Sequence, residues 1–215
     1  PLTPIFHKLI VEKNKIELPV IILNIGGIAN ITLINDNNKM SSLDIGPGNC
    51  LIDRWMRLNS DKNFDKDGLI AKSGKIDKII LKQSLDFFYN HPISKLKSFN
   101  INDFWVFNFV NNLSIENGAA TLTEFTADIL SKKIKNKNIY ACGGGRKNKF
   151  LMEKLQKKTG KEIKLIDDLN IDGDFVESQA FGYLAIRSYL KLPISFPETT
   201  GCKKPSTGGV IIKNF

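Results

Sequence analysis

Histidine is nearly missing from this 215-residue sequence: His7 and His91 are the only two, too few to build an imidazole metal centre. Cysteine is scarce as well. Cys50, Cys142 and Cys202 are odd in number and have no metal-type spacing, so a disulfide framework and a zinc site are both excluded. Reduced thiols in a cytoplasm are the expectation. No apolar run approaches the ~18–20 residues that a membrane span needs. The longest, Leu18–Leu23, suits a buried strand, and no basic-then-apolar leader is seen. There is no internal repeat and no low-complexity linker. Acidic residues are outnumbered, 22 against 31 Lys plus Arg, for a formal charge of +9. Nucleic-acid binders gather such an excess into one stripe. Here the lysines are scattered, and only Lys132, Lys133, Lys135 and Lys137 form a local run. The expectation is therefore no nucleic acid and no membrane as partners, with a positive field that also suits a phosphate-bearing small ligand.

What is present is ordinary globular composition, 42% hydrophobic and 25% charged. Residues 19–25 (PVIILNI) and 28–34 (IANITLI) are apolar runs flanking Gly26-Gly27, which reads as a tight β-hairpin. A turn at Asp36-Asn37-Asn38 and a third strand over Ser42–Ile45 complete a meander. Then the period changes. Leu51, Ile52, Trp55 and Met56 fall at helical spacing. Ile76, Ile79, Ile80, Leu85 and Phe88 carry a second helix, residues 104–110 a short one, and Ala119–Ile134 a longer one with Leu122, Phe125 and Ile129 on its apolar face. Strands over Ile139–Cys142 and Ile163–Ile166 alternate with helices over Phe150–Lys157 and Phe175–Leu190, and Gly208–Lys213 is a last strand. Three strands followed by alternation give α/β with a mixed sheet and flanking helices.

Four glycine-bearing segments stand out. In Asn24–Thr32 (NIGGIANIT), glycines at the hairpin tip supply the positive φ of type I′ or II′ turns, or let backbone N–H groups approach a phosphate. Asp44–Asn49 (DIGPGN) joins the third strand to a helix whose N-terminus offers unpaired N–H donors, an anion seat. Asp44 could hold Mg²⁺ directly or through water. Asn49 and Asp53 share one helix face; the plain alternative is that Asn49 caps the helix and Asp53 lies near its positive end. Cys142-Gly143-Gly144-Gly145 lets a flat purine or sugar lie on the backbone, although the full dinucleotide fingerprint is missing. Thr207-Gly208-Gly209 reads as a simple bend.

The order of these segments resembles the C-terminal lobe of the actin-like ATPase (ribonuclease H-like) fold. Their wording is closer still. NIGGIANIT, DIGPGN, DKDG at 65–68, ATLTEFTA at 120–127, CGGG at 142–145 and VESQAF at 176–181 are similar to anhydro-N-acetylmuramic acid kinase, and Pro1-Leu2, Pro4 and Phe6-His7 resemble the segment entering that kinase's second half. The resemblance implies ATP and Mg²⁺ as cofactors, a homodimer, and a two-step reaction in cell-wall recycling. Water opens the anhydro bridge of 1,6-anhydro-N-acetylmuramic acid, and the freed 6-oxygen takes the γ-phosphoryl of ATP. It further implies that Gly26, Gly27 and Asn30 meet the phosphates, that Asp44, Gly46, Gly48 and Asn49 form the turn facing phosphate and metal, that Gly143, Gly144 and Gly145 meet adenosine, and that Glu177 binds sugar. The plain alternative for Glu177 is a favourable charge in the first turn of a helix.

The family's other phosphate loop, of the Gly-Thr-Ser-x-Asp-Gly kind, has no match in residues 1–215. Its water-activating aspartate lies upstream of the segment matching Pro1-Leu2. The expectation is a single C-terminal lobe over 1–215, its N-terminal lobe outside the sequence, as a piece or a truncated product. A second reading is a non-catalytic lobe that binds nucleotide or pairs with itself.

Overall fold

The computed structural model describes residues 2–96, 98–135, 138–210 and 212; Pro1, Lys137 and Lys213 lie outside these. Helix α1 (Pro4–Lys13) leads into a meander of β1 (Val20–Ile25), β2 (Ile28–Ile34) and β3 (Met40–Pro47). After a helical stretch, β4 (Asn138–Cys142) and β5 (Lys164–Leu165) add to the other side of β1 in parallel, giving the order β3-β2-β1-β4-β5. The continuous apolar run of β1 is explained by burial on both faces, as parallel pairing requires. Ile21, Leu23 and Ile25 pack with Ala127 and Leu130 of α5 (Ile115–Lys133) and Leu151 and Leu155 of α6 (Lys149–Thr159). Val20 and Ile22 pack with Phe6 and Ile10 of α1 and Val176 and Ala180 of α7 (Val176–Tyr189).

A third layer lies outside α5. There α2 (Cys50–Asn59), α3 (Leu69–Ser73) and α4 (Lys78–Asn90) bury Trp55, Met56, Ala71 and Phe88 against Leu122 and Phe125. Trp55 donates its Nε1–H to the Ile115 carbonyl at 2.8 Å. The mixed sheet with flanking helices is as expected, and the strands and long helices fall close to their predicted spans. Three details differ. Helix α1, which the sequence patterning did not isolate, has Pro4 in its first turn, where a missing N–H costs nothing. Ile79, expected on an apolar face, is 72% exposed, because α4 turns Ile80, Leu81, Leu85 and Phe88 to the core instead. Residues 208–210 and 212 form no strand; the tail pairs through a single bridge, Ser195 to Ser206. Among the described residues no helix is long and apolar enough to cross a membrane. All three cysteines are free. Burial pushes the Cys50 thiol up to about 11 and the Cys142 thiol up to about 12, so neither is a reactive nucleophile at neutral pH.

Candidate functional site

The glycine segments 26–27, 44–49 and 143–145 meet at one end of the sheet, where β1, β3 and β4 end and β2 begins. The Gly48 and Cys50 N–H groups donate to the Gly27 carbonyl at 2.9 and 3.1 Å, and the Asn49 N–H donates to the Gly26 carbonyl at 2.8 Å. Hairpin and acidic turn are thus in direct contact. The loop after β4 joins them from the other side. A Cβ on Gly143 would lie 2.3 Å from Asn24 Oδ1, and one on Gly145 would lie 2.2 Å from Ile25 Cγ2, so this loop is pressed onto the end of β1.

Two local expectations are corrected. Neither Gly26 nor Gly27 has positive φ. A Cβ there would find its nearest neighbours at 3.4 and 3.7 Å, ordinary contact, so the chain's own packing makes no demand for glycine at the tip. The N-terminus of α2 offers fewer open donors than expected, because those of Asn49 and Cys50 are already taken by the hairpin carbonyls. Asn49 occupies the cap position, but its side chain makes no capping bond. Its Nδ2 instead lies 3.9 Å from where Gly144 would carry a Cβ.

Asn24, Asn30 and Asp44 stand opposite one another across β1, β2 and β3. Asp44 Oδ2 accepts the Phe99 N–H at 2.9 Å, which fixes the carboxylate. Asn30 Oδ1 is buried with no hydrogen-bond partner. An unpaired carbonyl oxygen beside a carboxylate is a hard-oxygen pair suited to Mg²⁺. Among the described residues no group of three or more His, Cys, Asp or Glu side chains is placed to hold a metal ion. A cation held here would keep most of its waters, as Mg²⁺ does.

Two cavities adjoin the glycine segments, and of this row only Asn24 lines one of them, the smaller. The larger, about 540 Å³, is lined by Asn49, Asp53 and Arg57 of α2 with Asp65, Gly144 and Lys147. Burial pushes the Asp53 carboxyl up to about 6, with Asp65 adding to the effect and Arg57 opposing it. The smaller, about 160 Å³, is lined by His7, Asn24, Gly26, Gly143 and Glu177. Gly144 and Asp174 line both. The structure therefore brings Glu177, exposed in the first turn of α7, to the hairpin and the glycine loop. Gly46 is buried beneath the turn, where a Cβ would meet Ile129 Cγ2 at 2.6 Å.

His7, Asn24 and Asp174 line these cavities and Arg146 bonds to Asp174 on their common wall; the sequence reading assigned none of the four, and it named Asp53 only for the helix face shared with Asn49. Arg146 is buried and holds Asp167 through two bonds of 2.7 and 2.8 Å, Asp174 at 2.6 Å and the Gly143 carbonyl at 3.1 Å. Its hydrogen bonds lower the Asp167 carboxyl to about 2. The available signal was an arginine directly after Gly-Gly-Gly with acids at 167, 172 and 174 further on.

His7 is buried, with Nδ1 2.8 Å from Thr32 Oγ1, and burial lowers it from its ordinary 6.5 to about 4. The unfolded chain then binds the extra proton between those values. Stability carried by neutral His7 is complete above pH 6.5 and declines as pH falls toward 4, at up to ~1.4 kcal/mol per pH unit. Asp53, shifted upward, acts in the opposite sense between its ordinary 3.8 and about 6. Urea unfolding of wild type and His7→Gln from pH 7.5 to 4.5 separates the two. The gap between the proteins should shrink on acidification; a constant gap would contradict the neutral buried imidazole.

A family model described as anhydro-N-acetylmuramic acid kinase matches residues 1–214. The anhydro-N-acetylmuramic acid kinase of Pelagibacter ubique is 50% identical over 228 residues, covering 100% of this chain and 60% of that protein. That of Caulobacter vibrioides is 38% identical, covering 99% and 58%. The chain thus spans about 60% of the length of the curated relatives it matches. Among solved structures, the activator of 2-hydroxyisocaproyl-CoA dehydratase from Clostridium difficile, with bound ADPNP, superposes with a TM-score of 0.51 at 14% identity, covering 81% of this chain and 62% of that one. That likeness is one of fold, the actin-like ATPase lobe. With motifs, topology and relatives in agreement, the chain belongs to the anhydro-N-acetylmuramic acid kinase family.

Proposed function

We propose that residues 1–215 form the C-terminal lobe of a two-lobed kinase that hydrolyses and phosphorylates 1,6-anhydro-N-acetylmuramic acid, using ATP and Mg²⁺, in the cytoplasm. The observation that carries this reading is the meeting of hairpin, acidic turn and glycine loop beside two adjoining cavities. Gly26 and Gly27, glycines that the fold itself does not require, face the β- and γ-phosphates. Asn30 and Asp44 hold the hydrated cation. When bound, Mg²⁺ offsets phosphate charge as the phosphoryl group transfers. The larger cavity takes the nucleoside, with Gly143–Gly145 and Asn49 along its path and Asp53 as a hydrogen-bond acceptor. Glu177, at the smaller cavity, accepts from a sugar hydroxyl.

In the overall reaction water adds across the 1,6-anhydro bond. Its hydroxyl goes to the anomeric carbon and a proton to the 6-oxygen, and that oxygen then takes the γ-phosphoryl of ATP and gives up a proton as ADP leaves. The base for the first step is the family's upstream aspartate, so this lobe binds and orients. Two lobes pair into a homodimer, for which exposed Phe181, Ile186 and Tyr189 on α7 offer an apolar face.

The test is Asp44→Asn in the two-lobed protein. The replacement keeps an oxygen to accept the Phe99 N–H, so folding should change little. Turnover should fall tenfold or more, about 1.4 kcal/mol in barrier. Unchanged turnover at saturating Mg²⁺ would make Asp44 a turn residue and remove the cation from this row.

A further inference from the structure

Arg146 is the most heavily bonded side chain near the site, and the reading above gives it no role. It sits under the wall that the two cavities share, and its guanidinium reaches three separate segments. The first is its own loop, through the Gly143 carbonyl at 3.1 Å. The second is Asp167, which follows β5 and is held by both oxygens. The third is the stretch 172–174 that leads into α7, through Asp174 at 2.6 Å and Asp172 Oδ1 at 3.7 Å. The backbone repeats the same connections. The Gly143 N–H donates to the Gly173 carbonyl at 3.1 Å, and the Gly173 N–H donates to Asp167 Oδ1 at 3.3 Å. Gly173 is a glycine because a Cβ there would lie 2.3 Å from Arg146 Nε. Three carboxylates around one buried cation would repel one another without it; the planar fork bonds Asp167 and Asp174 and holds Asp172 by charge alone.

We propose that Arg146 is a positioning residue that locks the Gly143–Gly145 loop and the entry to α7 into one unit. It touches neither cavity's contents directly. It fixes Gly144 against Asp174, the wall common to both, and so fixes Glu177 relative to the glycine loop. The consequence for ligands rests on the nucleotide reading given above; the lock itself does not. A ligand seated on the glycine loop and one held by Glu177 would then be coupled through this unit.

Arg146→Lys tests the lock. Lysine keeps the charge but offers a single ammonium that cannot bond Asp167 bidentately while also reaching Asp174 and Gly143. Amide hydrogen exchange on the 215-residue chain reads the result, with Asp168→Asn, an acid outside the fork, as the control. In Arg146→Lys the amides of Gly143 and Gly173 should exchange at least tenfold faster, while those of β1 keep wild-type rates. Asp168→Asn should leave all of them unchanged. Unchanged exchange in both loops would overturn the proposal. So would a uniform rise that includes β1, since that reports general destabilisation. Calorimetry with ATP on the two-lobed protein, with and without the same substitution, addresses the ligand consequence: Arg146→Lys should weaken binding at least tenfold. Wild-type affinity alongside loosened loops would overturn the positioning role. No binding by the wild type would sink the nucleotide reading while the exchange result still decides the lock.

Discussion

A polypeptide of residues 1–215 alone, given ATP, Mg²⁺ and 1,6-anhydro-N-acetylmuramic acid, should form ADP only at the background rate. Phosphoryl transfer is chiefly a matter of positioning and charge stabilisation, and both need two walls around the phosphates. These residues contribute one hairpin, one acidic turn and one glycine loop, all on one sheet end. Nothing in them matches the family's second phosphate loop. An acceptor held by one wall forfeits much of the ~7–11 kcal/mol that positioning can supply, many powers of ten in rate. Supplying the remaining part of the family's length, fused or in trans, should restore turnover. A coupled ADP assay reads both conditions. Robust sugar phosphorylation by residues 1–215 alone would show that the catalytic groups lie within this lobe.

The second large effect is expected at Gly48. A Cβ there would sit 2.1 Å from the Gly26 carbonyl oxygen and 3.2 Å from that of Gly27. Both obstacles are backbone, so no rotamer change relieves them. Gly48→Ala must push hairpin and turn apart, at the expense of the bonds from Gly48, Asn49 and Cys50. Overpacking costs about 1–3 kcal/mol, and each lost backbone bond adds about 1 kcal/mol. For a chain of this size the melting temperature should drop on the order of 10 °C. Gly182→Ala is the contrast. Gly182 lies in α7 with nothing near its missing Cβ, so alanine there should be neutral or slightly stabilising. Equal melting of Gly48→Ala and wild type would mean that the contact between hairpin and turn yields freely.

The sheet was legible because its apolar runs are long and punctuated. Gly26-Gly27, Asp36-Asn37-Asn38 and Gly143–Gly145 mark strand ends without ambiguity. The outer helices were less so: Ile79 looks like a core residue in the sequence, and only the packing of Ile80, Leu81, Leu85 and Phe88 against the core leaves it outside. Site residues that act through glycine could be read as motifs, since a backbone contact needs a fixed local sequence. Arg146, Asp167 and Asp174 could not, because their partnership spans 28 residues and exists only once β4, β5 and α7 are side by side. His7 was hidden for the same reason, its partner Thr32 lying on a neighbouring element.

The bonds between α2 and the hairpin also have an electrical meaning. In a trans peptide the C=O and N–H point in opposite directions. The Gly26 and Gly27 carbonyls point at the first amides of α2, so the N–H groups of those same two peptide units point away from it. The partial positive charge at the start of α2 therefore does not stop at the helix. It polarises the hairpin peptides in series, and such chains of hydrogen bonds reinforce one another. An anion arriving at the hairpin tip would meet the N–H groups of Gly27 and Ile28 with the field of the helix behind them, delivered through a single layer of backbone.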